Sequence, residues 1–281
     1  MTALTLGWAG AEEVKPEMTA DAVHISTPVY RPNFKEFNPP MGEYTYTVSW
    51  ERIPAATVKV NIESNGPNYK VNVSAKTYSG IDLLYKLRYK AEGLLSGIDL
   101  TPVKTLIEER ENSRVKTAQI TFHDSGLIET VRETKGKDTK VLNFVSDNFT
   151  LDPFSAAFIA RGLDWKLGDS KEFDTFNGKS RYLITLTAVD KKMVKLNGES
   201  REVWVISPQV KNLVRPDADK KLREAKIYVT ADEKREILKI ESSVFIGTVY
   251  TEMDSFVPSP SEDLRLVRRL EASRLEMQSA S

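Results

Sequence analysis

The chain has 281 residues with 40 basic and 40 acidic side chains, so no net field draws it toward nucleic acid or an anionic membrane. It has no cysteine, which removes disulfides, thiolate chemistry, cysteine-based zinc sites and the lipidated cysteine of an exported lipoprotein. No run of eighteen apolar residues occurs, and the sequence predicts no transmembrane helix.

The opening MTALTLGWAGAEEV is uncharged until Glu12, and Ala9-Gly10-Ala11 forms a small-x-small site just before it. This reads as the second half of a secretory signal whose basic segment is missing. Residues 1–11 are therefore expected to be a truncated signal-peptide remnant. Residues 12–41 read as a flexible polar leader punctuated by proline.

At Gly42 the texture changes. In GEYTYTVSW, Tyr44, Tyr46, Val48 and Trp50 alternate with Thr45, Thr47 and Ser49, which places the large side chains on one face of a strand. Pro54 interrupts the pattern, Val58, Val60 and Ile62 resume it, and Asn65-Gly66 supplies a turn into Tyr69, Val71, Val73 and Ala75. The same period-two texture recurs around Ile120, across Asp124-Ser125-Gly126, in RYLITLTAV, in REVWVISP, and in the stretch after Lys226 with a turn near Asp232. About 10–12 strands are expected, without the long intervening helices of an α/β fold. The fold class is mainly β: a large curved antiparallel sheet or half-open β-barrel over residues 42–257, with a flexible or helical tail at 258–281.

Two segments read as short covering helices. Ile81, Leu84, Tyr85 and Arg88 have helical spacing. In LDPFSAAFIARGLDW, Asp152 suits the cap and Pro153 the first helical position, while Phe154, Ala157, Phe158 and Arg161 share a face. Leu264, Val267 and Leu270 stripe the tail, which reads as a solvated or loosely docked helix more readily than as a membrane-surface amphipath. The two histidines, His24 and His123, stand far apart in sequence, and His123-Asp124 reads as a strand end entering a turn rather than as metal ligands. HExxH, GxSxG and glycine-rich phosphate loops do not occur.

The stretches YTVSWERIPAATVKV, TYSGIDLLYKLRYKAEG, LDPFSAAFIAR, GDSKEFDTFNGKSRYLITL and KIYVTADEKREILKIESSVFIGTVYTEM, in this order, resemble the exported bacterial proteins of domain of unknown function family 3108. The resemblance spans roughly residues 43–256. It implies a periplasmic protein of the Gram-negative envelope, soluble rather than lipidated, with a half-barrel similar to that of bacterial lipoprotein carriers. It carries over no catalytic residue. What it marks is structural: Trp50 and Pro54 at the first bend, Asp82 and Tyr85 at the first helix, Asp152, Pro153 and Ser155 at the second, and Asp232 in the late hairpin.

Three functional classes follow. A noncatalytic protein would bind an apolar or lipid-bearing envelope component in the concavity of the sheet, with Tyr44, Tyr46, Val48, Trp50, Tyr85, Phe154 and Phe158 as candidate contacts. The plainer reading of each such residue is core. A scaffolding component of envelope or polysaccharide biogenesis, in contact with a glycan, is the alternative. A hydrolase-type enzyme would use Asp82, Tyr85, Asp152, Ser155 and Arg161, although capping and turn formation already account for these positions. No metal and no cofactor is expected.

Overall fold

The alternation that begins at Tyr44 propagates through almost the whole domain. A computed structural model describes residues 33, 37–146, 148–213, 224–243 and 247–259. The signal-like start, His24, most of the leader and the tail stripe lie outside the described residues. Among the described residues fifteen strands form: β1 (Gly42–Trp50), β2 (Ile53–Asn65), β3 (Asn68–Thr77), β4 (Leu87–Ser96), β5 (Pro102–Glu111), β6 (Arg114–Phe122), β7 (Leu127–Thr134), β8 (Lys140–Val145), β9 (Thr150–Leu151), β10 (Ser170–Phe176), β11 (Arg181–Leu196), β12 (Glu199–Asn212), β13 (Glu224–Thr230), β14 (Ile237–Ser243) and β15 (Thr248–Pro258). Two helices, α1 (Ser79–Asp82) and α2 (Pro153–Gly162), interrupt them.

All fifteen strands lie in one sheet, ordered β8-β7-β6-β5-β4-β3-β2-β1-β15-β14-β13-β12-β11-β10-β9. Pairing is antiparallel except between β9 and β10. The sheet is mainly antiparallel and does not close into a barrel, as the alternation predicts, but it holds more strands than the 10–12 expected. Part of the difference is β4. Its period-two run Leu87, Tyr89, Ala91, Gly93, Leu95 begins within the stretch to Arg88 whose spacing predicts helix. The first helix is correspondingly only one turn long, with no buried residue, so it covers nothing. Asp82 does not cap it. Its carboxylate instead accepts from Thr77 Oγ1 at 2.5 Å and from Arg88 Nη1 at 3.0 Å, which pins the end of α1 to the start of β4.

The first turn is also tighter than Pro54 suggests. Glu51 and Arg52 join β1 to β2 with φ of 47° and 66°, left-handed values on two residues that are not glycine. Such a conformation costs about 1–2 kcal/mol per residue. It is held by Glu51 N–H on the carbonyl of Thr248 at 2.9 Å, and by the Glu51 carboxylate, which accepts from Thr248 N–H. Pro54 itself sits within β2 opposite Ser49, where the register shifts, a position that tolerates a missing N–H. Asn65-Gly66 makes the next turn, as expected, with Gly66 at φ 59°.

The second helix follows its sequence signals. Asp152 Oδ1 accepts from Ser155 N–H at 2.7 Å and Pro153 opens the helix. Phe158 and Ile159 are buried against Tyr44, Ile62, Tyr69, Val71 and Leu95 of the sheet. The far end of α2 is tied down reciprocally: Arg161 Nε donates to the carbonyl of Arg235 at 2.5 Å, and Arg235 Nη1 donates to that of Leu163 at 3.5 Å. Phe37 joins the same core. Its N–H donates to the carbonyl of Asn33, whose own N–H reaches the carbonyl of Gly162, the last residue of α2.

The two edge strands, β8 and β9, share no ladder bonds, and the seam between them is bridged by side chains. Arg181 Nε lies 2.9 Å from each carboxylate oxygen of Asp174, and Arg181 Nη2 donates to Ser146 Oγ at 2.9 Å. Thr150 Oγ1 and Asn148 Nδ2 donate to Asp174 Oδ2 at 3.0 and 3.3 Å. Phe176, at the end of β10, packs against Ile120, Ile128 and Leu142 of β6, β7 and β8. The sheet thus curls until its two wings touch. No helix among the described residues is long and apolar enough to cross a membrane.

Candidate functional site

The residues singled out from the sequence separate into two places. Tyr44, Tyr46, Phe154 and Phe158 meet in and around the core beneath the sheet. The Tyr44 ring lies 4.3 Å from that of Phe256 and 6.4 Å from that of Tyr46, and the Phe158 ring lies 6.3 Å from that of Tyr69. Burial pushes the Tyr44 phenol up to about 12 and raises that of Tyr46 as well. Phe154 rests on Gly93 of β4, where a Cβ would come within 2.6 Å of its ring. Val48 is half-buried. Trp50 and Tyr85 are exposed at the turns that follow β1 and α1, and the Tyr85 hydroxyl donates to Glu111 Oε1 at 3.1 Å.

The acidic and hydroxyl residues weighed for acid–base chemistry have separate partners. Asp82 is bonded to Thr77 and Arg88, and Asp152 to Thr105 and Ser155. Asp152 has no solvent exposure. Burial raises its pKa, against hydrogen bonds from Thr105 and the start of α2 that favour the anion. The Arg88 and Thr77 hydrogen bonds hold Asp82 the other way, down to about 2. The Ser155 hydroxyl is buried beside the Asp152 carboxylate. Arg161 is engaged with backbone carbonyls and with the rings of Phe37 and Phe158, at 5.5 and 5.4 Å. Asp232 organises the β13–β14 turn: it accepts from Thr230 Oγ1 at 2.7 Å, Lys234 N–H at 3.1 Å and Arg201 Nη2 at 2.6 Å. His123 Nε2 sits 2.6 Å from Glu129 Oε2 beside its turn. Among the described residues, no three histidine, aspartate or glutamate side chains come together to hold a metal.

An open cavity of about 720 Å³ lies elsewhere, lined chiefly by the opposite, solvated face of β2 to β7. Pairing register explains its lining. Asn61, Asn72, Glu92, Leu106, Gln119 and Val131 form one row across six strands. Lys59, Ser74, Lys90, Glu108, Thr117 and Glu133 form the next. Carboxylates, amides, hydroxyls and two amines therefore line the groove together with Val73, Leu106, Ile107 and Val131, and more of its exposed surface is apolar than polar. Lys59 pairs with Glu43 at 2.7 Å, and Glu92 with Lys70 at 2.9 Å. Sequence reading missed this groove. The polar positions of these strands read as a wet face, and nothing in a period of two says that a wet face is concave.

Fold and groove together define a barrel-like, open antiparallel sheet protein with its own helix packed inside and an open trough of mixed polar and apolar lining outside. The chain belongs to the family of proteins of unknown function DUF3108, whose model matches residues 45–254. Among solved structures, it is similar to a beta-barrel-like protein of domain of unknown function DUF1849 from Brucella abortus, with a TM-score of 0.55 at 8% identity over 80% of this chain and 100% of that one. A putative lipoprotein from Parabacteroides distasonis aligns over 79% of this chain and 98% of that one at 9% identity, with a TM-score of 0.31. No curated protein matches the sequence.

Proposed function

We propose that the protein is a noncatalytic binding protein of the bacterial envelope, exported to the periplasm, and that it holds a segment of hydroxyl-rich envelope glycan in the trough across β2–β7. The trough carries this reading: about 720 Å³ in which amides, carboxylates and hydroxyls stand among apolar side chains, so that sugar hydroxyls can exchange hydrogen bonds while the C–H faces of the rings rest on the apolar surface. An extended peptide is a poorer fit. Strands β2 to β7 are each paired on both sides, so a peptide would find no backbone edge to extend. An acyl chain beneath the sheet would have to displace Phe158 and Ile159, which α2 already seats there. Export is supported by the uncharged start with its Ala9-Gly10-Ala11 site.

Native mass spectrometry of the protein purified gently from periplasm, before and after solvent extraction, tests the class of occupant. Titration of neutral envelope oligosaccharides by NMR then tests the place. Saturable shifts in β2–β7 amides that disappear in the N72A/Q119A variant, with the melting temperature kept, are expected. A stoichiometric lipid lost on extraction, or sugar-induced shifts confined to residues around α2, would overturn the reading.

A further inference from the structure

The end of the molecule formed by the β1–β2 turn and the β3–β4 connection has a composition that the trough does not use. Leu83 and Leu84, adjacent at the end of α1, are 89% and 86% exposed. Trp50 and Ile53 flank the strained Glu51-Arg52 turn at 47% and 58%, and Tyr78 and Tyr85 are also exposed. The two connections are neighbours: Tyr78 N–H donates to the carbonyl of Ala55 at 3.0 Å, and Thr57 Oγ1 to the Tyr78 hydroxyl at 2.9 Å. Exposed large apolar side chains that gather at one site mark an interaction surface, whereas scattered ones do not.

Charge identifies the partner. One step back from this end, Lys76, Arg88 and Arg110 stand directly opposite one another on β3, β4 and β5. Like charges in facing register repel, and among the described residues Arg88 is the one of the three paired with a carboxylate, that of Asp82. Lys86 beside Tyr85 and Arg52 beside Trp50 add exposed cations at the same end, where the carboxylates Glu51, Asp82 and Glu111 are fewer. The formal net charge of zero conceals this local excess. A leucine apex, with tryptophan and tyrosine at its shoulders and a cationic row behind, is the layering that an anionic bilayer meets in order: acyl boundary, interface, phosphates.

We propose that this end docks peripherally on an anionic phospholipid surface, inserting Leu83, Leu84, Trp50 and Ile53 and placing Lys76 and Arg110 over the headgroups. The cationic row borders the trough on the same face of the sheet but contributes none of its lining, and the docking does not depend on what the trough holds.

Co-sedimentation of the full chain with vesicles of phosphatidylcholine alone, or mixed with phosphatidylglycerol at about 7:3, tests the proposal. Binding to the mixed vesicles is expected, with a blue shift in tryptophan emission that is lost in W50F. The L83S/L84S variant, both of whose changes lie at exposed positions, is expected to lower the partition coefficient by more than about tenfold. K76S/R110S is expected to erase the preference for the anionic lipid. W50S supplies an independent variant on the other connection, and thermal melts verify that each variant is folded. No binding by the wild type, equal binding to both vesicles, or retention of binding by L83S/L84S would overturn the proposal. So would light scattering that shows self-association lost in L83S/L84S, because the surface would then be a contact between copies.

Discussion

Gly93 lies under the ring of Phe154, so close that a Cβ at residue 93 would stand 2.6 Å from Cδ2. One glycine in β4 thereby sets how near the first turn of α2 can approach the sheet. Gly93→Ala must push the ring or the helix outward, and overpacking of this kind costs about 1–3 kcal/mol. Urea denaturation should show the loss, and Phe154→Ala in the same chain should recover part of it. Simple additivity of the two changes would mean that they do not meet.

The seam depends on Asp174 and Arg181, both buried. Arg181→Met leaves the Asp174 carboxylate without its cation in the interior, and breaking a buried pair in this way costs about 3–5 kcal/mol. Hydrogen exchange should report it locally, with protection falling first at β8–β10 while β1–β3 stay protected at low denaturant. Uniform loss would mean that the sheet opens as a single unit.

Two aspartates give opposite pH dependences. Asp82 has its pKa lowered to about 2, so its contribution is complete above the ordinary carboxylate value of 3.8 and is lost as pH falls between the two. Asp152 has its pKa raised by burial, so the folded chain retains a proton that the unfolded chain releases, and stability declines as pH climbs from the ordinary value through the raised one. Denaturation midpoints measured from about pH 2 to pH 8 should lose the acid limb in D82N and the decline at higher pH in D152N.

Phe37 lies before the first strand yet is among the most buried side chains. Phe37→Ala should cost about 3–5 kcal/mol, the usual range for a core phenylalanine. It should also loosen α2, since the Arg161 guanidinium stacks over the same ring at 5.5 Å. An unchanged melting temperature would show that the segment is merely laid against the domain.

Much of the architecture could be read from residues alone. The Tyr44-Tyr46-Val48 alternation, the Asn65-Gly66 turn, the Asp152-Pro153 helix start and the late hairpin at Asp232 each rest on a local rule, and each forms where that rule puts it. What failed was non-local. Leu84, Tyr85 and Arg88 have helical spacing, but Arg88 is held in β4 by the ladder with β3, despite facing Lys76, and by its pair with Asp82. Phe37 looks like leader until α2 folds back to meet it. Val203, Trp204, Val205 and Ile206 put apolar side chains on both faces of β12, but what each face meets is set by distant strands: Trp204 and Ile206 join the main core, and Val203 and Val205 a second cluster with Tyr228 and Leu238. The trough was illegible for the same reason: curvature belongs to the sheet and to no single strand.

The placement of β1 between β2 and β15 has a consequence for how the chain comes to be folded. Each wing is a run of neighbours in sequence and can zip locally, but the two wings meet only when the fifteenth strand reaches the first. Until then Tyr44 and Tyr46 face an absent neighbour and β1 offers a bare edge, the arrangement most prone to pair with the wrong chain. On the ribosome or emerging from a translocation pore, the molecule is therefore committed to finishing last what it began first. A holding chaperone that covers β1 would act for nearly the whole time the chain takes to appear.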